Sequence, residues 1–423
     1  MKTVFNKQKE RAMLVGAELP GLSRWDVEDH LRELALLADT AGAAVVRKEI
    51  ARCRGLSPSR YIGRGKVREL AERCHIDGVE VVIFDDDLGP AQARNLEKDF
   101  GIKVIDRTEL ILDIFAQHAR TREGKIQIEL AQLVYLLPRL KRRWTHLSRQ
   151  EGGIGVRGPG ETQIEVDRRR VRQRIGKLTA ELAEVRKHRA TQRQQRQRGG
   201  WPVVSIIGYT NSGKSTLMNT LTSSRFAVGD RLFATLDPAT RILVFPDNFK
   251  ILLTDTVGFI RKLPHQLIEA FKATLEEVVQ SDLLLHVLDL SSPTIEENNL
   301  AVNNVLKELN AIGRPMVMAL NKTDKVVRKA RIDKYLRLFP GSVAISAKEK
   351  TGLSDLMAMI REALSGWREF VRLAVPQGDG RTIALIHEKG NVLRKRYLDG
   401  NVLLDAELSP GLKRAVEKYI RHE

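Results

Sequence analysis

Apolar and polar positions along this chain follow two periods, and the chain switches between them repeatedly. Short apolar runs of strand character stand at Ala12-Met13-Leu14-Val15-Gly16, Ala43-Ala44-Val45-Val46, Val79 to Phe84 and Ile102-Lys103-Val104-Ile105. Between them lie helix-period segments. One begins after the plausible N-cap Ser23 and carries Trp25, Val27, Leu31, Leu34 and Ala35 on one face; others cover Lys66–Arg73, Pro90–Asp99 and the stretch through Leu110-Ile111-Leu112. A turn is expected at Gly55-Leu56-Ser57-Pro58. Strands alternating with helices at this pitch predict a small, largely parallel α/β domain over residues 1–122.

From residue 123 to 198 the period changes. Ile126, Leu130, Leu133, Leu137 and Leu140 repeat at spacings of four and three, and Val171, Ile175, Leu178, Leu182 and Val185 do the same. Two such seams bury each other most simply as an antiparallel helical hairpin, with Pro138 kinking or ending the first arm. The second arm, if helical from Gln163 to Arg198, reaches roughly 50 Å at ~1.5 Å per residue. Its end, from Lys187 to Gly200, is a polar run expected to act as a linker. Between the arms, Gln150 to Glu161 holds five glycines and a proline and cannot be helical.

The next segment, residues 201–367, carries chemistry. Gly208-Tyr209-Thr210-Asn211-Ser212-Gly213-Lys214-Ser215 follows the apolar run Val203 to Ile207 and precedes a helical stretch from Thr216. Strand, glycine-rich loop and helix in that order make a phosphate cradle. Backbone N–H groups and the helix N-terminus face the anion, Lys214 reaches the β- and γ-phosphates, and the Ser215 hydroxyl suits Mg²⁺. Further on, Asp255-Thr256-Val257-Gly258 ends another apolar run, so Asp255 can hold the Mg²⁺ shell through water and the Gly258 N–H can meet a γ-phosphate. Asn321-Lys322-Thr323-Asp324 follows Met316 to Leu320. The Asp324 carboxylate accepts the N1–H and 2-amino protons of guanine, whereas adenine would leave it desolvated and unpaired. Ser346-Ala347-Lys348 is expected to give backbone donors to O6.

Within Phe233-Ala234-Thr235-Leu236-Asp237, Thr235 is the candidate mobile-loop threonine that meets Mg²⁺ and the γ-phosphate when GTP is bound. Lys214, Thr235 and Gly258 are thus the expected catalytic set. Phe259 occupies the position where many GTPases place a water-orienting glutamine, so intrinsic hydrolysis is expected to be slow. Residues 368–423 predict a small α+β appendage, with strands at Phe370–Val375 and Asn401–Ala406 and a helix over Pro410–Ile420. The fold class is therefore α/β: a nucleotide-binding P-loop domain preceded by a parallel α/β domain with a long hairpin and followed by a small α+β domain.

Charge changes this picture more than composition does. The chain of 423 residues has a formal net charge of +18, more than an enzyme of small molecules ordinarily needs and suited to a polyphosphate surface. Between Pro138 and Arg198 stand 18 Lys and Arg against 6 Asp and Glu, a local excess of +12. Arg139, Lys141, Arg142, Arg143, Arg149, Arg157, Arg168, Arg169 and Arg170 cluster around the glycine-rich tip and are the candidate RNA-binding residues. No apolar run of about eighteen residues predicts a membrane span, and the N-terminus has no signal-type apolar core. Cys53 and Cys74 read as ordinary thiols of a cytoplasmic protein. Gly63-Arg64-Gly65-Lys66 is a possible second phosphate loop, while Asp85-Asp86-Asp87 reads as helix capping and dipole compensation.

The loop Gly208–Ser215, the run Leu232–Arg241, Asp255–Ile260 and the glycine segment Gly152–Thr162 together resemble the HflX family of translation-associated GTPases, over about residues 12–367. The resemblance implies a cytoplasmic GTP hydrolase that binds the 50S ribosomal subunit and its 23S rRNA, with its N-terminal and hairpin regions near the peptidyl-transferase centre; the motifs call for Mg²⁺, and a monomer is expected. It further implies dissociation of stalled or idle 70S ribosomes, particularly under heat stress, with hydrolysis stimulated by the ribosome. Two other readings stand beside it: a ribosome-assembly GTPase, and an RNA-remodelling factor that uses ATP at a second site in the N-terminal domain.

Overall fold

A computed structural model describes residues 9–140, 163–197, 201–222, 232–233, 239–246, 249–262 and 272–421. The chain divides into two compact units.

The first unit is built on a four-stranded parallel sheet of β1 (Arg11–Glu18), β2 (Ala44–Arg52), β3 (Val81–Phe84) and β4 (Lys103–Asp106), in the order β2-β1-β3-β4. Helices α1 (Arg24–Ala41), α2 (Arg64–Ile76), α3 (Pro90–Phe100) and α4 (Arg107–His118) make the crossovers. Ser23 caps α1 as its sequence position predicts: its hydroxyl accepts the Asp26 N–H at 3.1 Å, and its own N–H donates to Asp26 Oδ2 at 2.9 Å. Met13, Val15, Val82, Phe84 and Leu96 fill the core on one side. Both faces of a parallel sheet are covered, which is why β3 reads as continuous apolar sequence.

A buried polar network closes the C-terminal edge of this sheet. Arg107, 2 % exposed, donates to Asp85 Oδ1 at 2.7 Å and pairs with Glu33. Lys262 Nζ donates to Asp85 Oδ2 at 2.6 Å and pairs with Asp86. Burial works to raise the Asp85 pKa, but Arg107 and Lys262 overcome it, and the carboxyl is held below its ordinary value. Asp85 is thus an ion-pair partner of tertiary neighbours, where the sequence suggested helix capping. Phe233 also belongs to this unit, its ring edge-on to Phe115 at 4.6 Å.

The predicted seams do meet. Helix α5 (Arg122–Leu136) and the long α6 (Gln163–Gln197) bury Ile126, Leu178 and Leu182 together, with Leu130 and Leu133 packed against them. Arg174 adds a bidentate pair to Glu129 at 2.7 and 2.8 Å. The polar run from Lys187, expected as a linker, is helical as far as Gln197, because Arg, Gln and Lys favour helix even without an apolar face.

The second unit holds two sheets. Its six-stranded sheet runs β10 (Ser342–Ala344), β9 (Met316–Asn321), β8 (Leu283–Asp289), β5 (Val203–Gly208), β7 (Lys250–Asp255), β6 (Ala239–Val244), all parallel except β6. Its three-stranded antiparallel sheet runs β11 (Glu369–Pro376), β13 (Asn401–Leu408), β12 (Asn391–Leu398). Helix α7 (Lys214–Thr222) follows β5 directly. Leu217 and Met218 on α7 join Val204 and Ile206 of β5 in the core, which fixes the helix N-terminus at the strand's end.

Candidate functional site

The site is assembled from the C-terminal ends of β5, β7, β9 and β10, where an open α/β sheet leaves a crevice. The loop after β5 turns at Asn211 (φ 59°) and Gly213 (φ 93°). A Cβ at Gly213 would stand 2.3 Å from Asn321 Nδ2, so only glycine permits this approach between the two loops. Asn321 exploits it: Nδ2 donates to the Ser212 carbonyl at 2.9 Å, and Oδ1 accepts the Ala347 N–H at 3.0 Å. The expected base-contacting N–H of Ala347 is therefore engaged with Asn321 in this state. Lys322, in the left-handed region at φ 65°, donates to the Asn211 carbonyl at 2.6 Å and pairs with Asp289 at 2.8 Å. At the mouth, Ser346 Oγ donates to Asp324 Oδ1 at 2.6 Å. Lys348 is exposed and pairs with Glu349 at 3.6 Å.

Lys214 is buried and donates to the carbonyls of Gly208 and Tyr209 at 3.1 and 2.7 Å. Burial pulls its pKa down to about 8, against the opposing pull of Asp255. An ammonium held this way by backbone carbonyls is poised to exchange them for phosphate oxygens. Gly258 lies close by: a Cβ there would come 3.0 Å from Lys214 Nζ. Ser215 Oγ donates to Asp255 Oδ2 at 2.7 Å. Thr210 Oγ1 and Ser212 Oγ are buried with no hydrogen-bond partner among the described residues, and such hydroxyls are costly unless a ligand or water completes them. Thr256 and Val257 are also buried, Thr256 donating to the Ile206 carbonyl at 2.6 Å. A hydroxyl and a carboxylate in contact beside a buried lysine fit a divalent cation with a polyphosphate.

Phe259 is fixed on the loop by backbone: its N–H donates to the Gly208 carbonyl at 3.1 Å and its carbonyl accepts the Thr210 N–H at 2.7 Å. Its ring is 1 % exposed, and the neighbouring Arg261 N–H reaches the Tyr209 hydroxyl at 2.9 Å.

Not every candidate falls in this arrangement. Ala234, Thr235, Leu236 and Asp237 lie outside the described residues, as do Lys141, Arg142, Arg143, Arg149 and Arg157. Phe233 is buried in the first unit against Phe115 and is not among the loops described here. Arg139 is turned inward as well, donating to Asp106 and the Leu88 carbonyl and lying 3.4 Å from the Tyr135 ring centre. Its charge is engaged in holding α5 to the sheet, which a count of basic residues cannot reveal. Arg169 and Arg170 are exposed, and Arg168 is half-buried. Lys66, the cation of the possible second phosphate loop, is paired with Glu69 at 2.8 Å and Glu49 at 3.7 Å. Sequence reasoning passed over Asp289, whose position at a strand end was the available signal. It passed over His286 too, on β8 between β5 and β9; burial pulls its pKa down to about 3.

Three family models match the chain in succession: "GTP-binding GTPase N-terminal" over residues 28–116, "GTP-binding GTPase Middle Region" over 118–196, and "50S ribosome-binding GTPase" over 203–322. A protein of Caldanaerobacter subterraneus subsp. tengcongensis named GTPase HflX is 44% identical over 98% of this chain and 94% of its own length. The chain belongs to the HflX family of GTPases. The Escherichia coli K12 member is 45% identical over 90% of each chain. A solved GTP-binding protein from the archaeon Sulfolobus solfataricus, in complex with GDP, is 27% identical over 84% of this chain and 99% of that one, with a TM-score of 0.43. As an HflX-family GTPase the chain binds and hydrolyses GTP, and the resemblance seen in its motifs holds over nearly its whole length. Among the described residues no helix is long and apolar enough to cross a membrane.

Proposed function

We propose that this HflX-family GTPase acts on the ribosome: in the GTP form it docks on the 50S subunit through 23S rRNA contacts of its basic hairpin and parts 70S ribosomes that are stalled or idle. Hydrolysis then releases it. The match of residues 203–322 to a family described as 50S ribosome-binding GTPases carries this reading, and the local excess of +12 around the hairpin supports it. In the nucleotide site, Ser215 and Asp255, joined by Thr235, hold Mg²⁺; the ion supplies charge neutralisation for the β- and γ-phosphates. Lys214 binds the same phosphates, Gly258 senses the third one, and Asp324 selects guanine. The buried phenyl ring of Phe259 has no group to orient water, so turnover is slow alone and accelerated on the particle.

GTP turnover measured with and without purified large subunits tests the proposal. Stimulation of tenfold or more is expected, together with a loss of 70S and a gain of free subunits in sedimentation profiles when protein and a GTP analogue are added. Turnover unchanged by large subunits overturns the stimulated mechanism, and an unchanged 70S peak overturns the splitting role. An effect confined to immature particles points to assembly instead.

A further inference from the structure

A second concentration of positive charge, separate in sequence from the hairpin, begins immediately after Asp324. Between Lys325 and Arg337 stand six Lys and Arg against the single carboxylate of Asp333. Lys325 ends a 3₁₀ turn begun at Thr323, residues 326–328 run without regular structure, and helix α8 (Lys329–Leu338) follows. Together they shape a concave pocket of about 470 Å³ whose lining includes Lys325, Arg328, Arg331, Lys334 and Tyr335, and no carboxylate.

The cations are not arranged as a solvated face would arrange them. Arg328 stands at the N-cap position of α8 without a side-chain capping bond and Lys329 opens the helix, with no acidic residue in the first turn, which is the end of a helix where cations work against the dipole. Solvated surfaces intersperse signs and avoid that cost. Arg331, one of the lining residues, is tied down, donating to the Leu290 carbonyl at 2.9 Å and the Ser292 carbonyl at 2.5 Å. Its guanidinium lies 5.5 Å from the Tyr335 ring centre, and Lys334 Nζ lies 4.9 Å from the same ring. Lys334 pairs with Glu296 at 3.5 Å with both side chains exposed, an interaction worth little in water. Lys325 and Arg328 are exposed. Beside them Val327 stands 98 % exposed, an apolar contact placed within the ring of charge.

We propose that this pocket is a second RNA site, in which Lys325, Arg328 and Lys334 take consecutive phosphates of a folded RNA strand while Val327 packs on a sugar or base. The inference deepens the ribosomal reading and rests on it. RNA suits the site better than an acidic peptide because the proposed function already assigns the longest basic segment of this +18 chain to a phosphate surface. Clustered, flexible ammonium groups also track phosphates without demanding the fixed geometry of a carboxylate pair.

The test uses the full-length chain with the triple substitution Lys325→Gln, Arg328→Gln, Lys334→Gln, a GTP analogue, and two ligands: purified large ribosomal subunits and protein-free large-subunit rRNA. Affinity is followed from about 50 to 200 mM salt. Each phosphate contact contributes about 0.7–0.9 to the slope of log affinity on log salt, so the triple variant should show a slope shallower by about 2 to 3 on both ligands. GDP affinity should be unchanged, which also verifies folding, and the charge-keeping variant Lys325→Arg, Arg328→Lys, Lys334→Arg should retain the wild-type slope. A wild type that binds and a triple variant with the same slope overturns this pocket and leaves the ribosomal reading standing. Loss of slope on particles but not on bare rRNA overturns it in favour of a protein partner. A wild type that binds neither ligand removes the ribosomal reading and this inference together.

Discussion

At the residue scale the decisive feature is Lys214, a cation buried among carbonyls whose pKa is lowered to about 8. Phosphate oxygens in place of those carbonyls raise the pKa again. The lysine's contribution to nucleotide affinity is therefore fully present below about pH 8 and declines as pH rises from there towards the raised pKa of the bound form. The dissociation constant for GDP, measured by titration between pH 6.5 and 9.5, should be flat at first and then rise by up to tenfold per unit. No such rise would mean that Lys214 stays charged in the free protein. Gly213→Ala tests the loop in another way. A Cβ 2.3 Å from Asn321 Nδ2, at φ 93°, forces the two loops apart, so GDP binding should fall at least tenfold while the core keeps its melting temperature within a few degrees. His286 should leave no mark on the pH profile between 5 and 8, because a fully buried imidazole with a pKa of about 3 stays neutral throughout.

At the element scale, the helices of the first unit and most strands were legible from their apolar periods, whereas the helices Ile295–Glu308, Lys329–Leu338, Leu353–Ala363 and Gly380–Lys389 and the strands Ala239–Val244 and Leu283–Asp289 were not singled out. The Ser23 cap, α3 (Pro90–Phe100) and the two seams of the hairpin followed from spacing alone. Strand β12 (Asn391–Leu398) was not legible. It reads Asn-Val-Leu-Arg-Lys-Arg-Tyr-Leu and lies mostly exposed at a sheet edge, where packing imposes no alternation and charge guards against further pairing. The signal that could have found it is Asp399-Gly400, two residues at φ 46° and 75° that make the tight turn into β13. The C-terminal helix is also shorter than expected, Pro410–Ala415 followed by a 3₁₀ turn. In the hairpin, Leu178 is fully buried between the arms. Leu178→Ala should cost about 2–5 kcal/mol by denaturant unfolding of the first unit, whereas removing the exposed Arg174–Glu129 pair should cost no more than about 1 kcal/mol. Equal effects would show that the seam carries less than its burial suggests.

At the scale of the whole molecule, long-range electrostatics govern how the chain meets its partner. With a net charge of +18, affinity for large subunits should fall by a factor of about 10³ or more between 50 and 200 mM salt, if six or more phosphates are neutralised. Sedimentation binding at several salt concentrations checks this, and an affinity insensitive to salt would argue for a contact made mainly with protein. The ordered motifs at strand ends, the carboxylate proposed to select guanine and the basic segment were all determined by sequence, because each is local: spacing sets which face a side chain takes and residue type sets its chemistry. Tertiary structure alone decided that Arg139 serves the fold, that Lys66 is already paired, and that Asp85 meets Arg107 and Lys262. It also gathered Lys325, Arg328 and Lys334 around one pocket. Those outcomes depend on which groups from distant parts of the chain come within a few ångströms of one another, and a charge does not announce its partner in a one-dimensional sequence.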